Sequence, residues 1–224
     1  IIRNAHVTDV NRWYYDIGNI QTSGGDCIQF EVNNFIKVTD SYLDHSINPG
    51  KFAMIANRSD TVTLKNSTLI SWDTMSAVYL GSSERGWHVE KCKVKGGRIG
   101  LENHGHLTVK NTTIRNCSEA AITGGNTQVY HCTISDVDGK YALNGWGDNP
   151  WEVYNSIFYD INIVYGAMDY MVEASNNNYY NPGNEQPVNQ WGSNVMNTDP
   201  QFVDYQHHNY DLKSTSPMID AGLS

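Results

Sequence analysis

Val62-Thr63-Leu64-Lys65-Asn66-Ser67-Thr68-Leu69 alternates apolar and polar residues, breaks at Asn66, and resumes with Leu69 as its next apolar residue. The phrase returns at Trp87 to Val94, Leu107 to Ile114, Thr127 to Ile134 and Trp151 to Phe158, and more loosely at Ile36 to Leu43. The copies begin at 36, 62, 87, 107, 127 and 151, so they stand 26, 25, 20, 20 and 24 positions apart. A period of that size marks a solenoid, in which each repeat is one turn and only stacking closes the core.

Aligned on the repeat, the residues fall into columns. Ile36, Val62, Trp87, Leu107 and Trp151, and then Val38, Leu64, Val89, Val109, Val129 and Val153, alternate with polar neighbours. Alternation of period two puts each set on one face of a short strand, here the inward face. Asp40, Asn66, Lys91, Asn111, His131, Asn155 and Asn176 share the next column. It is rich in residues that tolerate a left-handed backbone, which makes it a corner. Small residues follow at Ser41, Ser67, Cys92, Thr112, Cys132 and Ser156, and Leu43, Leu69, Val94, Ile114 and Ile134 restore the inward face.

A further strand precedes the first in most coils, at Cys27 to Phe30, Ala53 to Ala56, Ala77 to Leu80, Arg98 to Leu101, Ala120 to Thr123 and Ala142 to Asn144. The fold expected is all-β: a single-stranded right-handed parallel β-helix of about seven to nine coils, one domain over residues 1–224. Regular coils are expected over 1–163 and irregular last coils with a C-terminal cap over 164–224, the cap built on Phe202, Tyr210, Leu212, Met218 and Ile219. Trp191 either contacts a sugar or shields the last coil. A leucine-rich horseshoe would need a helical segment in each repeat, and an antiparallel sandwich would not stack like residues at one period.

Composition agrees with many short strands: 39% of the 224 residues are hydrophobic and 17% charged, with 19 glycines. A net charge of -9 argues against nucleic acid as a partner, because gripping phosphates needs clustered Lys and Arg. No run approaches the apolar length that crosses a bilayer, so no membrane partner is expected. The chain opens on Ile1 with the spacing of the repeat already present, so an upstream segment, including any leader, is expected to have preceded it. Cys92 and Cys132 occupy one column two coils apart, about 10 Å at the usual strand spacing, which is too far for a disulfide.

Met54 to Asn66, then Val78-Tyr79-Leu80-Gly81, Gly97-Arg98-Ile99-Gly100 and His106 to Asn111 resemble the central coils of the pectate lyase-like β-helix superfamily. The tail Asn197 to Asp204, Tyr210-Asp211-Leu212 and Ser214 to Gly222 is similar to the ending of many bacterial secreted β-helix proteins. The resemblance implies an extracellular or secreted protein acting on a polysaccharide in a groove along one sheet. In such lyases a cation or basic group neutralises a uronate carboxylate, a basic side chain takes the adjacent proton, and the glycosidic bond leaves by elimination.

Arg98 falls where the family carries its catalytic basic residue, and Arg58 and Tyr79 join it as catalytic candidates. The family's acidic calcium ligands are replaced by Phe52, Ala56 and Thr39. No metal residue is therefore assigned and no cofactor is required; calcium stays possible, and Lys51, Arg58 or Arg98 could neutralise a substrate carboxylate directly.

The outward residues of the preceding strand supply the substrate-binding candidates Glu31, Asn57, Glu102, Asn144 and Trp146, beside Gln29, Ile55, Tyr79 and Arg98; His104 is added to them, and with His106 it follows Glu102 closely, where a general base could be built. Aromatic faces stack on sugar rings while polar groups read hydroxyls. The function expected is a lyase on an acidic polysaccharide, as a monomer. The alternatives are a hydrolase using Glu31 and Glu102 as its carboxylate pair, or a phage-tail or surface β-helix that binds glycans or is purely structural, trimeric if a tailspike.

Overall fold

The computed structural model describes residues 2–3, 6–8, 16–17, 20–21, 28–31, 35–45, 52–57, 61–72, 75–81, 86–139, 141–146, 150–166, 172–182, 187 and 190–222. Three parallel sheets run along the solenoid, and each coil gives one strand to each sheet in a fixed order. The first sheet holds Ile28–Glu31, Met54–Asn57, Val78–Leu80, Ile99–Asn103, Ala120–Gly124 and Tyr141–Gly145. The second holds Phe35–Thr39, Thr61–Lys65, Trp87–Glu90, Leu107–Lys110, Thr127–Tyr130 and Trp151–Tyr154. The third holds Tyr42–His45, Thr68–Ser71, Lys93–Gly96, Thr113–Cys117, Thr133–Val137 and Ile157–Ile161.

These triplets stack through about five turns of an all-β parallel solenoid, with no α-helix among the described residues. The expected seven to nine coils are not established by the described residues, in which the outermost repeats are incomplete. Ile2–Arg3 and His6–Thr8 extend the second and third sheets at one end, and Val172–Ser175 and Asn178–Tyr180 do so at the other. At the first sheet's outer edge a short hairpin, Asp16–Ile17 with Ile20–Gln21, pairs antiparallel to Ile28–Glu31. It covers backbone groups that would otherwise offer a template for another strand.

The columns read from the sequence are the register of the sheets. Val62, Trp87, Leu107, Thr127 and Trp151 pair in succession, as do Leu64, Val89, Val109, Val129 and Val153, and all are buried. Thr127 sits in this apolar file because its hydroxyl is satisfied inside: it donates to the Gly125 carbonyl at 3.0 Å and accepts from Asn103 Nδ2 at 3.1 Å.

The corner column is left-handed throughout, with φ of 52° at Asp40, 50° at Asn66, 54° at Lys91, 49° at Asn111, and 54°, 54° and 53° at His131, Asn155 and Asn176. The small residues after it knit the coils together. The Ser41, Cys92 and Cys132 amides donate to Ser67 Oγ, Thr112 Oγ1 and Ser156 Oγ at 3.2, 3.3 and 3.2 Å. Those hydroxyls donate in turn to carbonyls of their own coil. Cys92, Cys117 and Cys132 are buried thiols outside any disulfide; Cys27 lies outside the described residues. A second left-handed column, Gly96, Asn116, Asp136 and Asp160, bends the third sheet and was not anticipated from the sequence.

The C-terminal cap differs from expectation. Trp191 and Val195, with Val172 and Ala174, pack on the core at the end of the last coil, and the Trp191 ring lies 6.1 Å from that of Tyr165. Trp191 therefore shields the solenoid end. The Phe202 group instead straps the outer face of the third sheet: Tyr210 donates to Asp136 at 3.0 Å, Tyr205 donates to the same carboxylate, and the Tyr159 ring stands 5.2 Å from Phe202 and 4.5 Å from Tyr205. Polar Ser135 and Asp136 on that face give the tyrosine hydroxyls partners. Ile219, expected in the cap, is exposed.

Candidate functional site

The first sheet carries the candidate site on its outer face. Gln29, Ile55, Tyr79, Glu102, Thr123 and Asn144 are paired one above another on successive coils. One residue beyond the strands, backbone hydrogen bonds continue the stack through Gly81, His104, Gly125 and Trp146. Glycines at 81 and 125 leave gaps that larger neighbours fill. A Cβ at Gly81 would stand 2.7 Å from Asn57 Oδ1. Across Gly125, the His104 and Trp146 rings close to 4.9 Å although they belong to coils two apart.

A file of rings results: Phe52 to Tyr79 at 5.6 Å, Tyr79 to His104 at 5.1 Å, and His104 to Trp146. Glu102 lies at its centre, accepting a hydrogen bond from Ser76 Oγ and pairing with His104 Nε2 at 3.3 Å. Burial, and then the Glu102 charge, push the Tyr79 hydroxyl above its ordinary pKa of 10.0, so Tyr79 holds its proton. It suits a proton donor better than a base.

Asn103, fully buried, fixes the turn that carries His104: its Oδ1 accepts from the Gly105 amide at 2.8 Å, and its Nδ2 donates to the Gly105 and Asn126 carbonyls at 3.2 and 3.3 Å. Gly124, at φ 143°, lies against that strand; a Cβ there would come within 2.0 Å of the Asn103 carbonyl oxygen. No L side chain fits there.

Of the residues named from the sequence, Tyr79, Glu102, His104 and Trp146 are brought into one contiguous group. Asn57 and Asn144 lie in the two files that make up this face, Asn57 on the strand beside Tyr79 and Asn144 two strands beyond Glu102; a Cβ at Gly166 would meet Asn144 Oδ1 at 2.4 Å. Glu31 ends its strand three strands away from Glu102, and the register puts the two backbones roughly 16 Å apart. Arg58 and Lys51 lie outside the described residues.

Arg98 lies apart from this group. It precedes Glu102 by four residues, about 13 Å of extended strand, and is 3.1 Å from Glu119 of the next coil, both side chains being about half exposed. Its guanidinium is already partnered. Among the described residues no group of three or more His, Cys, Asp or Glu side chains is arranged to hold a metal ion.

Thr123, between Glu102 and Asn144, was not singled out from the sequence. It is buried, and its Oγ1 has no hydrogen-bond partner. Ser76 also joins the site unannounced, and Phe52, named from the sequence only as standing in place of a calcium ligand, joins it as a ring; both stand before their strands, where period-two alternation gives no guidance. The chain finds no significant match among protein-family models, curated proteins or solved structures.

Proposed function

We propose that this chain acts on an acidic polysaccharide lying along the outer face of the first sheet and cleaves it by β-elimination. The observation carrying the proposal is the file Phe52, Tyr79, His104 and Trp146 with Glu102 at its middle. Its rings offer apolar faces to successive sugars, and Glu102, Ser76, Asn57 and Asn144 offer polar atoms beside them.

The chemistry is divided among neighbours. With Nε2 bonded to Glu102, the Nδ1 atom of His104 is the acceptor for the proton next to the substrate carboxylate. Tyr79, kept protonated, hands its proton to the departing glycosidic oxygen. Arg98, and with it Arg58, remain the candidates to neutralise the uronate carboxylate, Arg98 by exchanging Glu119 for substrate. A right-handed wind, kinship with pectate lyase-like proteins and an extracellular location belong to the same reading.

A second reading, glycan binding without turnover, is favoured by the Arg98–Glu119 pair, which leaves the ring file without a described free cation beside it. The deciding experiment incubates the protein with polygalacturonate, pectin, alginate and glycosaminoglycans, with and without chelator. Elimination gives ultraviolet absorbance from the new double bond. Reducing ends without absorbance would replace the lyase with a hydrolase, and retention on a glycan column without either would leave a binding module.

A further inference from the structure

Some charges on the solenoid surface are compensated between coils. Lys65, Glu90 and Lys110 are paired in register on the second sheet and alternate in sign, with Lys65 Nζ 2.8 Å from Glu90, and Arg98 faces Glu119 on the first. The third sheet instead stacks like charges, as the second does at Glu152 and Glu173, but here they are cations. Lys95 and Arg115 stand side by side in register, with Lys93 two residues before Lys95 on the same face. None of the three is in an ion pair with a described carboxylate; Arg115 bonds only the neutral Asn116 side chain, at 2.6 Å. Like charges about 4.8 Å apart on neighbouring strands repel, and in a chain of net charge -9 carboxylates were plentiful.

The C-terminal strap turns this cationic strip into a hollow. The segment Tyr205–His207 and the strand Asn209–Leu212 stand over the strip, held by the Tyr205 and Tyr210 hydrogen bonds to Asp136. The hollow measures about 500 Å³, and Lys93, Lys95, Arg115, His208, Tyr210 and Asp211 face it. Asp211 is the one carboxylate among its lining residues, against three fixed cations. The Thr68 and Thr113 hydroxyls and the Tyr210 ring complete a wall with donors and an apolar face.

We infer that this hollow binds the anionic group of a small acidic sugar, a sulfate, phosphate or carboxylate, between Lys95, Arg115 and His208. Its volume suits one or two sugar units, and the overall negative charge beyond it disfavours a long polyanion. The neighbourhood of His208 registers the same field. Burial, then Arg115, with smaller contributions from Lys95 and His207, hold the imidazole below its ordinary pKa, against an opposing pull from Asp136. A bound anion reverses that field. This site lies on a different sheet from the ring file and does not depend on the activity proposed for it.

Calorimetric titration of the full chain with digalacturonate, a glucose phosphate and a sulfated N-acetylglucosamine tests the inference, with neutral lactose and inorganic sulfate as controls. Saturable binding of at least one acidic sugar is expected, none of lactose, and inorganic sulfate is expected to bind at least tenfold more weakly. Lys95→Gln with Arg115→Gln should weaken the preferred sugar at least tenfold, Lys37→Gln should leave it unchanged, and the His208 ring resonances should titrate at higher pH when it is bound. Absence of binding, equal binding of inorganic sulfate, or undiminished affinity in the double variant would each overturn it. Loss of affinity in Glu102→Gln alone would assign the binding to the first sheet.

Discussion

His104 and Trp146 belong to coils two apart, yet their ring centroids are only 4.9 Å from one another, because Gly125 of the intervening coil puts no side chain between them. The φ of Gly125 is not left-handed, so a larger residue is tolerated by the backbone. Gly125→Val should therefore part the rings while leaving the coil folded. Aromatic contacts of this kind are worth about 0.5–1.5 kcal/mol, so glycan affinity should fall by roughly two- to tenfold. Tryptophan fluorescence reports the separation and far-ultraviolet circular dichroism the intact fold. Unchanged affinity with a changed Trp146 signal would remove the ring file from the binding site.

Glu102 touches the proposed proton acceptor and raises the pKa of the proposed donor. In Glu102→Gln the lost charge should let the Tyr79 pKa drop toward 10.0 without reaching it, since burial, the larger cause, persists. Spectroscopic titration against a Tyr79→Phe reference isolates that hydroxyl. Turnover on the responsive polymer should fall by about 10²-fold or more, the usual contribution of one positioned acid–base group. A variant with full activity would leave Glu102 a structural partner of Ser76.

The sequence exposed those features that repeat locally. Asn66 and Asn111 announced left-handed corners because the residue type itself tolerates them, and Tyr79 and Glu102 could be placed outward because alternation of period two fixes the face. Thr123 obeyed the same alternation but is buried, which depends on neighbouring side chains and not on its own strand. Arg98 acquired Glu119 through register between coils. Asp136 was invisible as an anchor because Tyr205 and Tyr210 lie 69 and 74 residues away, a separation that no local pattern reports.

The corner ladder makes Ser156 structural. Its hydroxyl accepts from the Cys132 amide at 3.2 Å and donates to the Tyr154 carbonyl at 3.0 Å, both inside the solenoid. Ser156→Ala leaves that buried amide without a partner, which costs about 1–3 kcal/mol. Chemical denaturation should show a loss of that size, whereas Thr113→Ala, on the outward face of the adjoining sheet, should change stability by less than about 0.5 kcal/mol. Equal effects at the two sites would mean that the ladder contributes no more than ordinary surface contacts.

The same burial keeps the thiols quiet. Desolvation pushes Cys92 up to about 11 and Cys132 up to about 12, so almost no thiolate exists at neutral pH. Neither should react with iodoacetamide in the folded protein, and both should react once denaturant opens the coils. Rapid labelling of either residue under native conditions, read by peptide mass spectrometry, would contradict the closed packing around the corner.

The C-terminal strap should be released by alkali. Tyr205 and Tyr210 are both held well above their ordinary range, first by burial, with the Asp136 charge acting in the same direction. A tyrosine whose folded pKa exceeds its unfolded value stabilises the fold fully below the unfolded value, about 10, and loses that contribution as pH rises through the folded one. Deprotonation would also set a phenolate against the Asp136 carboxylate. Hydrogen exchange across the strand Asn209–Leu212 should therefore accelerate above about pH 10 while the corner amides of Asn111 and His131 stay protected. Tyr205→Phe should bring the loosening to lower pH, since it leaves Asp136 with fewer donors. Simultaneous exposure of the strap and the corners would show instead that the tail unfolds only with the solenoid.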